Sequence, residues 1–188
     1  MRLTVLAPAD EEELRLMTRT ACAFDGPCSI RYPKSAVSLP EGYSVSSFEI
    51  GKWLTLREGT DAVILAVGSM VATALRVAEA LAQDGISLTV VNASTVKPLD
   101  MECLRRVFEM ERPIFTLEEH VRMAGFGSSV LEAASEMGFQ PRVKLLAVDD
   151  YFVPHGDHAH LLRDTGLDDE SVIRTIRTEL NREESTNV

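Results

Sequence analysis

Residues Asp61 to Asn92 read DAVILAVGSMVATALRVAEALAQDGISLTVVN, and this stretch decides the fold class. Asp61 to Val67 is an almost continuous apolar run, the pattern of a strand buried on both faces. Gly68-Ser69 turns the chain. Val71, Ala74, Leu75, Ala78 and Leu81 then recur at helical spacing over 70–83 and define one apolar face. Gly85 ends that helix, and Ile86 to Val91 reads as the next strand. Strand, helix and strand at this spacing form a βαβ unit, which calls for a parallel sheet covered on both faces.

The same alternation continues downstream. Pro98 and Asp100 introduce a helix with Leu104, Val107 and Phe108 inward, and Pro113 to Leu117 is a strand. Gly125 to Met137 is a helix with Val130, Leu131 and Ala134 apolar, closed by Gly138. Val143 to Val148 is a further strand, and helical pieces at 159–163 and 168–180 finish the domain. The polar tail 181–188 reads as frayed.

Upstream, the rhythm breaks. Pro40, Gly42, Gly51 and Gly59 punctuate 34–59, which reads as a linker running into a hairpin or edge strand around Phe48 to Leu56. Before it, Leu3 to Leu6 is a short strand. Asp10 caps a helix carrying Leu14, Met17 and Ala21, with Glu13 completing a capping-box-like pair. Gly26-Pro27 breaks this helix and Cys28 to Tyr32 is a strand. Residues from about Ser44 to Leu180 therefore make a complete α/β domain, whereas 1–32 give only βαβ. Two strands and one helix cannot bury a core of their own, so this piece reads as the tail end of another domain whose front lies elsewhere.

Composition narrows the function classes. A chain of 188 residues with 45% apolar and 26% charged residues is a globular mixture. A net charge of −10 argues against a nucleic-acid partner, which needs clustered Lys and Arg. The acids at 10–13 and 168–170 fall where helices begin, and helix polarity accounts for them. No apolar run approaches the ~20 residues that span a bilayer. The start MRLTVLAPADEEE lacks the regions of a signal peptide. Cys22, Cys28 and Cys103 have no metal-binding spacing and read as reduced thiols, so the expected location is the cytoplasm.

Among residues with chemical potential, His155, His158 and His160 with Asp157 lack the spacing of a metal site. His120 follows Glu118-Glu119 at the carboxyl end of a strand, where open sheets place ligand groups. Gly125-Phe126-Gly127 opens a helix, yet residue 130 is Val, so the dinucleotide fingerprint fails. Tight turning and helix–sheet packing account for these glycines.

Taken in chain order, VLAPADEEELRLM, GPCSIRYPKS, IGKWLTLREG, DAVILAVGSMV, VNASTVKPLD, FTLEEHVRMAGFGSSVLE, and DDYFVPHG with GLDDESV resemble the C-terminal portion of the 1-deoxy-D-xylulose-5-phosphate synthases, a branch of the transketolase family. The ordered series spans nearly the whole chain. It implies a three-layer α/β C-terminal-type domain with a mostly parallel sheet, preceded by a partial βαβ. On this basis 1–38 end the pyrimidine-binding middle domain, 39–59 are linker and hairpin, 60–181 are the transketolase C-terminal domain, and 182–188 are tail. The implied whole enzyme is a homodimeric transferase. It condenses pyruvate with glyceraldehyde 3-phosphate, using thiamine diphosphate and Mg2+, in isoprenoid and thiamine precursor synthesis.

The resemblance places the metal motif and the catalytic glutamate upstream of this chain. No catalytic, cofactor-binding or metal residue is expected here, and the chain alone is expected to be inactive. One substrate contact carries over: the second basic residue of the family's IRYPRG binds the aldehyde's phosphate, and Lys34 stands there as a point charge rather than a bidentate fork. Arg31 reads as a structural residue at a strand end. At His120 the resemblance implies a structural turn instead of a ligand group. Other departures are Ser35 for Gly, Ser94-Thr95 for Arg-Phe, and Trp53 for Gly. Two further readings stay open: the C-terminal subunit of a split transketolase-like enzyme, and a non-catalytic assembly module. The expected partner is the upstream part of the same enzyme, with neither nucleic acid nor membrane involved.

Overall fold

A computed structural model describes residues 3–34 and 36–184. In chain order the elements are β1 (Thr4–Leu6), α1 (Glu11–Ala23), β2 (Cys28–Ile30), β3 (Leu54–Arg57), β4 (Ala62–Ala66), α2 (Met70–Ala82), β5 (Leu88–Asn92) and β6 (Thr95–Lys97), followed by α3 (Met101–Glu109), β7 (Ile114–Val121), α4 (Phe126–Met137), β8 (Val143–Val148), α5 (His158–Thr165) and α6 (Asp169–Glu184).

The main sheet has the order β3-β5-β4-β7-β8. All its pairings are parallel except β3 with β5, so the expected hairpin or edge strand is a short antiparallel edge. Because side chains alternate along a strand, β4 serves two cores. Ala62, Ile64 and Ala66 pack with α2 and with Val172 and Ile176 of α6. Val63 and Leu65 pack with Leu104 and Phe108 of α3 and Val130 and Ala134 of α4. The result is a three-layer α/β/α sandwich, as the apolar runs required.

Residues of the opening segment do not enter this sheet. β1 pairs in parallel with β2 and antiparallel with β6, giving a separate sheet ordered β2-β1-β6. Strand β6 is absent from the sequence reading: three residues between Ser94 and Pro98 carry too little periodicity to announce a strand. The main domain thus lends a strand to the opening segment.

Three expectations need correction. Asp10 does cap α1, accepting from Glu13 N at 2.8 Å. Glu13, however, is more than a capping-box acid explained by helix polarity: it is 1% exposed, and its carboxylate accepts from Ala9 N at 2.6 Å. The strand expected at Cys28 to Tyr32 stops at Ile30, because only Arg31 N still finds a carbonyl of β1, Leu6 O at 2.8 Å. The last helix continues to Glu184 rather than fraying at Asn181, while 185–188, Met1, Arg2 and Ser35 lie outside the described residues.

Candidate functional site

The chain leaves β4 toward β5 on one side and returns to place β7 on the other. The carboxyl ends of β4 and β7 therefore flank a topological switch point, where open α/β sheets hold ligands. A cleft of 910 Å3 opens there.

Its floor is built by two local features. After β4, buried Gly68 takes φ 59°, a left-handed conformation that suits glycine, and turns the chain so that Ser69 faces the cleft. In β7 the register with β8 shifts between Leu117 and Val121, so Glu118, Glu119 and His120 leave the regular ladder. Such irregularities re-aim side chains at strand ends.

Glu118 is buried, and its carboxylate accepts from Phe126 N and Gly127 N, each at 2.8 Å. It thereby caps α4, whose own cap residue is Gly125 with no side chain to offer. Burial pushes the Glu118 carboxyl above its ordinary value, opposed by these amides and by the nearby charges of His120 and Arg31. The glycines are sterically required. A Cβ on Gly127 would come within 2.6 Å of Leu145 Cδ2 and Thr116 Oγ1, and one on Gly125 within 2.5 Å of Val121 O. The helix start therefore already holds a carboxylate of its own.

Glu119 forms a second polar unit. One of its oxygens accepts from Ser69 Oγ and the other pairs with His158 Nε2. Three elements are joined this way: the residue that precedes α2, the irregular part of β7, and the first residue of α5. The carboxylate sits between serine and histidine, so the histidine does not activate the serine.

The opposite wall comes from the opening segment, which contributes Arg31, Tyr32 and Lys34. Arg31 and Lys34 are exposed, and Lys34 has no hydrogen-bond or ion-pair partner among the described residues. The structure thus brings Lys34, Arg31, His120, Glu118 and Gly125 of the sequence reading to one cleft. It separates the remaining histidines. His158 lines the cleft, His160 pairs with Asp164 at 3.5 Å, and Asp157 caps α5 through Ala159 N at 3.0 Å. Among the described residues, no group of three or more His, Cys, Asp or Glu could hold a metal ion.

Sequence reasoning missed Ser69, Glu119 and His158 as a unit. They lie 50 and 39 residues apart in the chain, and no local pattern announces the contact. It also treated Trp53 and Thr95 as unrelated departures. Trp53 Nε1 donates to Thr95 O at 2.9 Å, Gly51 N donates to Thr95 Oγ1 at 3.2 Å, and the indole lies 5.6 Å from the ring of Phe126. The two are one packed feature at the start of α4.

Comparison with known proteins agrees with this architecture. The transketolase C-terminal domain profile matches residues 51–172. The chain is 41% identical over 176 residues to 1-deoxy-D-xylulose-5-phosphate synthase of Shouchella clausii and 42% identical over 178 residues to that of Pelotomaculum thermopropionicum. Each match covers 93% of this chain but 28% of the enzyme's length, so the chain spans well under half of these relatives. A solved structure described as a split gene transketolase, inactive beta4 tetramer, superposes with a TM-score of 0.84 at 34% identity, covering 95% of this chain and 57% of that one. Transketolase from Leishmania mexicana, at 19% identity and a TM-score of 0.73, shares the fold.

Proposed function

This chain belongs to the transketolase C-terminal domain family, and from that premise we propose that it is the C-terminal part of a 1-deoxy-D-xylulose-5-phosphate synthase that condenses pyruvate with glyceraldehyde 3-phosphate. In this reading residues 1–38 finish the pyrimidine-binding domain, 39–59 link it to the next, and 60–181 form the C-terminal domain. The supporting observation is the cleft itself. The opening segment brings Lys34, which has no partner among the described residues, to the cleft at the switch point of the main sheet.

In the whole enzyme, thiamine diphosphate with Mg2+ supplies the electron-sink chemistry. The residues of this chain do not fit that group. Among the described residues no metal-binding cluster forms, and the buried cleft carboxylate Glu118 is committed to the backbone amides of Phe126 and Gly127. The cofactor belongs to the upstream part, and the isolated chain is inactive. What this chain does is bind and orient: Lys34 takes the phosphate of the aldehyde as a point charge. The assembled enzyme is a cytoplasmic homodimer.

The likeness to a split-gene transketolase subunit favours a second reading, in which the upstream part is a separately encoded subunit. Both readings share a test. The chain is co-expressed with the polypeptide encoded upstream of it, and complex formation and thiamine diphosphate uptake are measured. A stable complex that takes up the cofactor is expected. A chain that stays unassociated, or binds the cofactor tightly by itself, overturns the proposal.

A further inference from the structure

The cleft contains more chemistry than a phosphate contact uses. The amides at the start of α4 are closed to a ligand anion, since Glu118 occupies Phe126 N and Gly127 N. A phosphate is thereby directed to the Arg31–Lys34 wall. On the floor, Glu119 is fixed from both sides by Ser69 and His158 while its side chain stays 27% exposed. A carboxylate accepts but does not donate, so a partly exposed, pre-oriented one selects ligand O–H groups. Fixing it in advance spares the ordering cost on binding.

We propose that Glu119, held by Ser69 and His158, is a specificity-determining residue that reads the hydroxyl groups of a phosphorylated ligand whose phosphate lies against Lys34. The ligand class is a small polyhydroxylated phosphate ester, bound at two points. The serine and histidine act as positioning residues that keep the carboxylate aimed into the cleft. The inference rests on the phosphate role of Lys34, and the experiment separates the two.

The probes are inorganic phosphate, n-propyl phosphate and sn-glycerol 3-phosphate. These share a phosphate and differ in hydroxyls. Each is titrated into the isotope-labelled chain, alone and assembled with its upstream part, and followed by amide chemical shifts near Glu119 and Lys34. The native protein should prefer glycerol phosphate over propyl phosphate by about tenfold, the scale of one hydrogen bond to a charged group. Glu119→Gln should erase most of that preference and leave inorganic phosphate binding unchanged. Ser69→Ala should weaken the preference less, with an unperturbed amide spectrum, which guards against misfolding of the first variant. Lys34→Ala should weaken all three probes. If phosphate binds through Lys34 but both organic esters bind equally, the Glu119 inference is wrong and the Lys34 reading survives. If no probe responds to Lys34→Ala, the phosphate reading fails and takes the inference with it.

Discussion

Asn92 Nδ2 donates to both carboxylate oxygens of Glu13, at 2.9 and 3.0 Å, across 79 residues of chain. The bond pair joins the first turn of α1 to the carboxyl end of β5, and so fastens the opening segment to the main domain. Since that segment carries Lys34, the fastening also sets one wall of the cleft. Replacing Glu13 with Ala leaves Ala9 N–H and the Asn92 amide buried without this acceptor. A loss of about 2–4 kcal/mol is expected, read as a lower urea midpoint.

Glu13 also predicts a pH dependence. Burial raises its carboxyl above the ordinary 4.5, opposed by the bonds to Ala9 and Asn92. A carboxyl with a raised folded-state pKa holds its proton more tightly when folded. Its contribution is full below the unfolded value and is lost as pH rises through the folded one. Glu13→Gln removes that titration, and its amide has an available acceptor in Asn92 Oδ1, which is buried without a partner among the described residues. Measured from pH 4 upward, the native chain should lose stability relative to Glu13→Gln. A gain with rising pH would contradict the assignment.

Trp53 is the single tryptophan of the chain and is 8% exposed. Its emission should be blue-shifted in the folded protein and move to the red on unfolding. Trp53→Phe removes the bond to Thr95 O and reduces packing on Phe126, with an expected cost of about 1–2 kcal/mol in thermal or urea unfolding. An unchanged midpoint would show that the indole N–H is dispensable.

In the assembled enzyme, Lys34→Ala should raise the KM for the phosphorylated aldehyde about tenfold or more, with the KM for pyruvate little changed. Lys34→Arg should lower the aldehyde KM, because a guanidinium offers a phosphate two parallel donors. Equal effects on both substrates would move Lys34 out of the phosphate contact.

Much of this structure was legible in the residues. The run Asp61 to Val67 and the helix face through Leu81 demanded a doubly covered strand and its crossover, because burial on two faces and on one stripe leave different patterns. Lys34 was singled out by its motif, and it lines the cleft. What stayed hidden depends on long-range contacts. Strand β6 is defined by its partner β1 rather than by its own three residues. The role of Glu13 depends on Asn92, and a helix-start acid looks the same in sequence whether solvated or buried. The Ser69–Glu119–His158 unit needs the register shift in β7, which a run of eight strand residues does not display.

The proposal that this chain completes a 1-deoxy-D-xylulose-5-phosphate synthase can be checked in one reaction. The chain is mixed with its upstream part, thiamine diphosphate, Mg2+, pyruvate and glyceraldehyde 3-phosphate, and product is followed by NMR. The mixture should yield 1-deoxy-D-xylulose 5-phosphate, and neither component alone should yield any. A correctly assembled, cofactor-loaded complex that makes no such product would contradict the proposal.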